Sequence, residues 1–219
     1  MKKIIFILLT IFLFACSKEA SELEDVVKNE QPQAEHVILA LWDSLTAWYW
    51  VWDEENYPYK LEKLLGEKWY SYKVINAWVS WDTSQNINSR TSFYLDEKPD
   101  FVILVAWWND WLRWLPTQDL KSNLLEIIDF FQNNWIKVVL WWMDIPSNLW
   151  ESYRESFKNV YKEIHDERKD VYYIDFFLDG VAWDKNLNIS DMIHPNSSWY
   201  DIVVKNLYDF LDKNDLLVK

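Results

Sequence analysis

A serine beyond an apolar run and a histidine three residues after an aspartate are the side chains of this sequence best suited to covalent chemistry. Ser44 lies in Leu41-Trp42-Asp43-Ser44-Leu45-Thr46-Ala47-Trp48, just past the run Val37–Leu41. On a strand-to-helix turn, a serine hydroxyl can face a crevice and sit at the positive end of the next helix. Near the other end stands Asp191-Met192-Ile193-His194-Pro195-Asn196. An aspartate at that spacing can accept from one imidazole nitrogen, fix the tautomer and leave the other nitrogen as a general base. Pro195 suits the first position of a helix, which would hold His194 just outside the helix N-terminus. Together these groups could run nucleophilic chemistry, because a neutral hydroxyl attacks well only when a base takes its proton. Each also has a plainer use: Ser and Asp are common helix N-caps, and a lone histidine in a loop, as His36 and His165 are read, is incidental.

Positioning such groups requires a scaffold, and the apolar patterning supplies one. Strands are predicted over Val37–Leu41, Tyr72–Asn76, Phe101–Val105, Lys137–Leu140 and Val171–Ile174, and helices over Tyr57–Leu65, Ser84–Phe93, Leu120–Asn133, Tyr153–Ile164 and Asn196–Leu211. Leu124, Leu125, Ile127, Ile128 and Phe131 fall at helical spacing. Strict strand–helix alternation predicts an α/β fold of three layers, α/β/α, with a mostly parallel five-stranded sheet covered on both faces. In such sheets ligands sit beyond the carboxyl ends of the strands, which is where Ser44 and the segment Trp107-Trp108-Asn109-Asp110 fall.

Residues 36–219 make up that one domain; what precedes it reads as export and anchoring. Met1-Lys2-Lys3 is a short basic start, and Ile4–Ala15 is an uncharged apolar run too short to span a bilayer comfortably, so residues 1–15 read as a signal peptide. The run ends in Leu13-Phe14-Ala15-Cys16, which resembles a bacterial lipobox, and by that resemblance Cys16 is lipidated and becomes the mature N-terminus. Residues 16–35 then form a lipidated cysteine and a polar, acidic tether. The expected location is the cell envelope, on the periplasmic or extracellular face, with the membrane reached through the lipid. Cys16 is the only cysteine, so neither an internal disulfide nor a cysteine-based metal site is expected, and no metal or cofactor is called for. Net charge is −13, and −15 once Lys2 and Lys3 leave, which argues against a nucleic-acid partner.

Two counts are abnormal: 17 Trp and 2 Gly in 219 residues, 50% of them hydrophobic and 26% charged. A chain of this length should carry roughly 15 glycines. Reading Trp42 and Trp48 as glycine turns the first segment into G-D-S-L-T-A-G, the signature of the GDSL, or SGNH, hydrolases. Asn76-Ala-Trp78-Val-Ser80-Trp81-Asp82-Thr83-Ser84 resembles their second block, N-A-G-V-S-G-D-T-S; Trp107-Trp108-Asn109-Asp110-Trp111 the third, G-G-N-D-G; Trp142-Met143-Asp144-Ile145-Pro146 the segment G-M-x-I-P; and Asp191–His194 the block D-x-x-H. Over roughly residues 36–212 the chain resembles the multifunctional thioesterase, lysophospholipase and arylesterase branch of that family.

The resemblance implies a flavodoxin-like SGNH fold and a monomeric serine ester hydrolase working through an acyl-enzyme. Ser44 would be the nucleophile, His194 the base and Asp191 its orienting carboxylate. The oxyanion hole would use the backbone N–H groups of Ser44 and Trp81 and the side-chain amide of Asn109. Asp82 and Thr83 would cap the second helix. The implied substrates are small acyl esters, thioesters or lysophospholipids, with deacetylation of carbohydrate esters as the alternative within the fold.

Tryptophan stands at family glycine positions 42, 48, 78, 81, 107, 108, 111, 142 and 199. Independent mutation of so many glycines, always to Trp, is not credible. The economical account is that UGA codons read as glycine by the source have been translated as tryptophan. Taken at face value, the tryptophans would instead suit a non-catalytic carbohydrate-binding protein or an inactive relative, but they cluster in motif turns rather than on one flat face.

Overall fold

Each of the five apolar runs becomes a strand of one parallel sheet. The computed structural model describes residues 34–42, 53–142, 151–174, 186–187 and 196–219. The strands are β1 (His36–Trp42), β2 (Tyr72–Trp78), β3 (Phe101–Val105), β4 (Lys137–Trp141) and β5 (Tyr172–Ile174). Their order across the sheet is β2-β1-β3-β4-β5, and every pairing is parallel. Ile38–Leu41 and all of β3 are buried, as strands covered on both faces must be.

The helices are α1 (Tyr57–Glu67), α2 (Ser84–Arg90), α3 (Trp108–Leu112), α4 (Thr117–Asn133), α5 (Glu151–Glu167) and α6 (Ser197–Lys213). α1 packs against α6, while α4 packs against α2 and α5, so the sheet lies between two helical layers. The chain passes from β1 to β2 on one side and then to β3 on the other. That reversal makes the carboxyl edge between β1 and β3 the topological switch point, the place where sheets of this kind bind ligands.

Local chemistry sets the helix ends. Asn56 caps α1 by accepting from the Tyr59 N–H at 2.9 Å, and Asn196 caps α6 by accepting from the Ser198 and Trp199 N–H groups at 3.1 and 3.3 Å. Ser197 is therefore the first helical residue of α6, and Pro195 lies outside the described residues. The helix expected over Ser84–Phe93 ends at Arg90 and continues as a 3₁₀ helix, Thr91–Glu97, where the Thr91 hydroxyl bonds back to the Asn88 carbonyl at 2.9 Å. Short α3 was not expected from the sequence, because five residues show no periodicity.

Four of the described helices close in the same way: three closures use a tryptophan, and the fourth, after α6, uses Asp215 (φ 52°). After α1, Tyr70 N–H bonds to the Leu65 carbonyl and Trp69 N–H to the Gly66 carbonyl, both at 3.0 Å. Trp114 after α3 and Trp135 after α4 repeat the arrangement, with Leu115 N–H to Asp110 and Ile136 N–H to Phe131, again at 3.0 Å. This is the Schellman closure, whose pivotal residue is left-handed and usually glycine. Here φ is 68° at Trp69, 54° at Trp114 and 63° at Trp135.

Candidate active site

The described part of the site is built from two loops at the carboxyl edge of the sheet. β2 leads into residues 79–83, and β3 leads through Ala106 and Trp107 into α3. Ser44, Asp191 and His194, the expected nucleophile, orienting carboxylate and base, lie outside the described residues, as does Cys16. Trp81 and Asn109, the other two expected oxyanion donors, are described and are brought together.

Asn109 is 1% exposed, and its side-chain amide donates to the Asp82 carbonyl at 2.9 Å. An amide nitrogen carries two N–H bonds; this contact uses one and sets the plane of the other. Trp81, one residue before Asp82, has φ 66°, and its N–H makes no hydrogen bond to any described residue. Its carbonyl is held by Arg113 Nη2 at 2.7 Å. Two consecutive carbonyls of this loop, on the two peptides that follow the Trp81 N–H, are thus gripped from α3 and its C-cap.

Thr83 caps α2 as expected, with its N–H donating to Asn86 Oδ1 at 3.1 Å. Asp82 does not cap. Its carboxylate turns instead to Arg90, accepting from Nε at 2.7 Å, because a guanidinium at the far end of this short helix is within reach.

Asp110 is 2% exposed and accepts from both the Ser84 N–H at 2.7 Å and the Ser84 hydroxyl at 2.6 Å, while Asn123 Nδ2 donates to that hydroxyl at 2.8 Å. Burial pushes the Asp110 carboxyl above its usual range, opposed by the bonds from Ser84. Asp110 therefore pins the start of α2 to α3, next to the Asn109 amide. The roles of Asp110, Ser84, Arg90 and Arg113 had no sequence signal, since each depends on a partner more than twenty residues away or on a loop carbonyl.

The tryptophans of the motifs crowd this edge. Trp42 is fully buried, with its indole N–H on Asn76 Oδ1 at 2.8 Å. The rings of Trp107, Trp108 and Trp111 lie 4.5–6.3 Å apart. The Trp111 indole nitrogen is buried and has no hydrogen-bond partner among the described residues, an arrangement that costs about 1–3 kcal/mol. Among the described residues, no group of three or more His, Cys, Asp or Glu side chains is placed to hold a metal ion.

The chain is similar to known proteins. The profile of the GDSL-like Lipase/Acylhydrolase family matches residues 40–202. An arylesterase of Vibrio mimicus is 31% identical over 189 residues, covering 86% of this chain and 88% of the relative. Esterase TesA of Pseudomonas aeruginosa is 29% identical over 182 residues, covering 83% and 90%. The crystal structure of the psychrotrophic esterase EstA from Pseudoalteromonas sp., inhibited by monoethylphosphonate, superposes with a TM-score of 0.76 at 25% identity, covering 82% of this chain and 98% of that one. With family profile, relatives and sheet order in agreement, the chain belongs to the GDSL-like lipase/acylhydrolase family and is an ester-bond hydrolase.

Proposed function

We propose that the protein is an exported, lipid-anchored serine esterase in which Ser44 attacks the acyl carbon, His194 takes the serine proton and Asp191 orients the imidazole. The N–H groups of Ser44 and Trp81 and the Asn109 amide would bind the tetrahedral oxyanion. The observation that carries this reading is the Asn109 amide fixed on the Asp82 carbonyl, beside a Trp81 N–H that bonds to no described residue. Preorganised donors of this kind cost no rearrangement as charge develops. The substrates are small acyl esters, thioesters or lysophospholipids, the last favoured by an anchor at Cys16 that keeps the site near lipid. A fluorophosphonate probe should label Ser44 and fail to label Ser44→Ala; a label that survives the substitution overturns the assignment. Incorporation of a clickable palmitate, lost in Cys16→Ser, tests the anchor.

We infer further that the natural polypeptide carries glycine at the motif tryptophans. Support comes from the backbone: of the six non-glycine residues with positive φ among those described, four are tryptophans, Trp69, Trp81, Trp114 and Trp135. A left-handed conformation costs an L-residue roughly 1–2 kcal/mol, and a bulky residue adopts it rarely. Trp69, Trp114 and Trp135 lie outside the catalytic motifs, so the pattern does not depend on the family comparison. Glycine at 81 would also remove an indole from the mouth of the site. UGG codons at 42, 81, 107 and 108 would refute this reading; UGA codons, with glycine in the native peptides by mass spectrometry, would establish it.

A further inference from the structure

The junction of β1 and β2 at the carboxyl edge is closed by one guanidinium. Arg90 is the last residue of α2, and its side chain is 11% exposed. Nε donates to Asp82 Oδ2 at 2.7 Å, Nη1 to the Ala77 carbonyl at 2.7 Å and to the Tyr94 hydroxyl at 2.8 Å, and Nη2 to the Trp42 carbonyl at 3.3 Å. Ala77 pairs with Leu41 and Trp78 with Trp42, so the two carbonyls sit at neighbouring strand ends. The Trp42 carbonyl belongs to the peptide that leads into Asp43-Ser44. Asp82 directly follows Trp81, the donor of the second loop. One planar group therefore bonds the entry to the Ser44 turn, the end of β2 and the loop after it.

A basic residue at a helix C-terminus has a simpler use against the helix dipole. That use asks only for charge, and lysine would serve. Here the contacts diverge in one plane to a carboxylate, two strand-end carbonyls and a phenol. This is the geometry of a guanidinium fork and cannot be met by one ammonium.

We propose that Arg90 is a positioning residue for ester hydrolysis, setting the spacing between the Ser44 turn and the Trp81–Asp82 loop. The proposal rests on the esterase reading above. Arg90 acts only through backbone, so its removal should misplace donors needed in the transition state and leave ground-state binding of a small ester alone. A misplacement of about 1 Å is worth on the order of 100-fold in rate.

The test uses the form of the chain that turns over p-nitrophenyl acetate, with active serines counted by fluorophosphonate titration. Arg90→Ala should lower kcat per titrated serine by about 10- to 100-fold with KM nearly unchanged, and added guanidinium ion should restore part of it. Arg90→Lys should remain low. Parent-level kcat per titrated serine in Arg90→Ala, whatever its melting temperature, overturns the proposal. So does a loss that appears wholly in KM, or one that guanidinium does not relieve. Should Arg90→Ala not fold, Arg90→Lys decides alone: parent-level kcat there overturns the proposal, and a deficit supports it. A fluorophosphonate label that survives Ser44→Ala overturns the assignment of Ser44 as nucleophile, on which the proposal rests and which the Arg90 variants leave untouched.

Discussion

The side-chain amide of Asn109, at the start of a five-residue helix after β3, donates to the backbone carbonyl of Asp82 in the loop after β2, at 2.9 Å. Two loops 27 residues apart in the chain are thereby locked to each other at the carboxyl edge of the sheet, where we propose the oxyanion is bound. The bond orients a donor and fixes the loop that carries the next one.

Asn109→Ala should therefore lose both functions. We expect kcat to fall by roughly 100- to 1,000-fold, the usual cost of one oxyanion donor, with little change in KM. Steady-state kinetics on p-nitrophenyl acetate measure it; a loss confined to KM would remove Asn109 from the oxyanion hole.

Asp110 makes stability depend on pH in an uncommon direction. Burial raises its folded pKa, so the folded state holds the proton more tightly than the unfolded chain. Its contribution is complete below the ordinary carboxylate pKa of about 4 and is lost as pH rises through the raised value. Melting temperatures of the parent and Asp110→Asn across that range should diverge, the parent losing ground as pH rises. A constant difference would contradict this.

Ser84 supplies Asp110 with two of its bonds, and only the hydroxyl can be removed. Ser84→Ala leaves a buried carboxylate oxygen without that donor, at 2.6 Å in the parent, and should cost about 1–3 kcal/mol. Chemical denaturation measures the loss, which should be larger where Asp110 is ionised than at lower pH.

In a chain synthesised with tryptophan, Trp69→Gly and Trp135→Gly should each stabilise. Both side chains point into solvent, 88% and 96% exposed, so little burial is surrendered. Relief of a left-handed L-residue is worth about 1 kcal/mol, or a few degrees in Tm for a domain of this size. Alanine at either position keeps the strain and should give no such gain. Equal stabilisation by both substitutions would show that the indole, not the backbone, is at fault.

Much of this protein was legible from order along the chain. Apolar runs of strand length alternating with helical periodicity dictate a parallel sheet between helices, because both faces of such strands must be covered. Ser44, Asp191 and His194, which lie outside the described residues, stood out as the proposed nucleophile, carboxylate and base because such residue types are distinctive in motifs readable over a few positions. The excess of tryptophan over glycine was equally plain, and the family pattern suggested the glycine reading proposed for it. The tertiary structure decided what depends on distant partners. It turned Asp82 from a helix cap into the partner of Arg90, joined Asp110 to Ser84, and assigned positive φ to Trp69, Trp114 and Trp135, positions with no motif around them. A one-dimensional pattern encodes which face a residue turns to the core. Which carbonyl a guanidinium reaches, and where a helix must close left-handed, exist only after the sheet has brought its strand ends together.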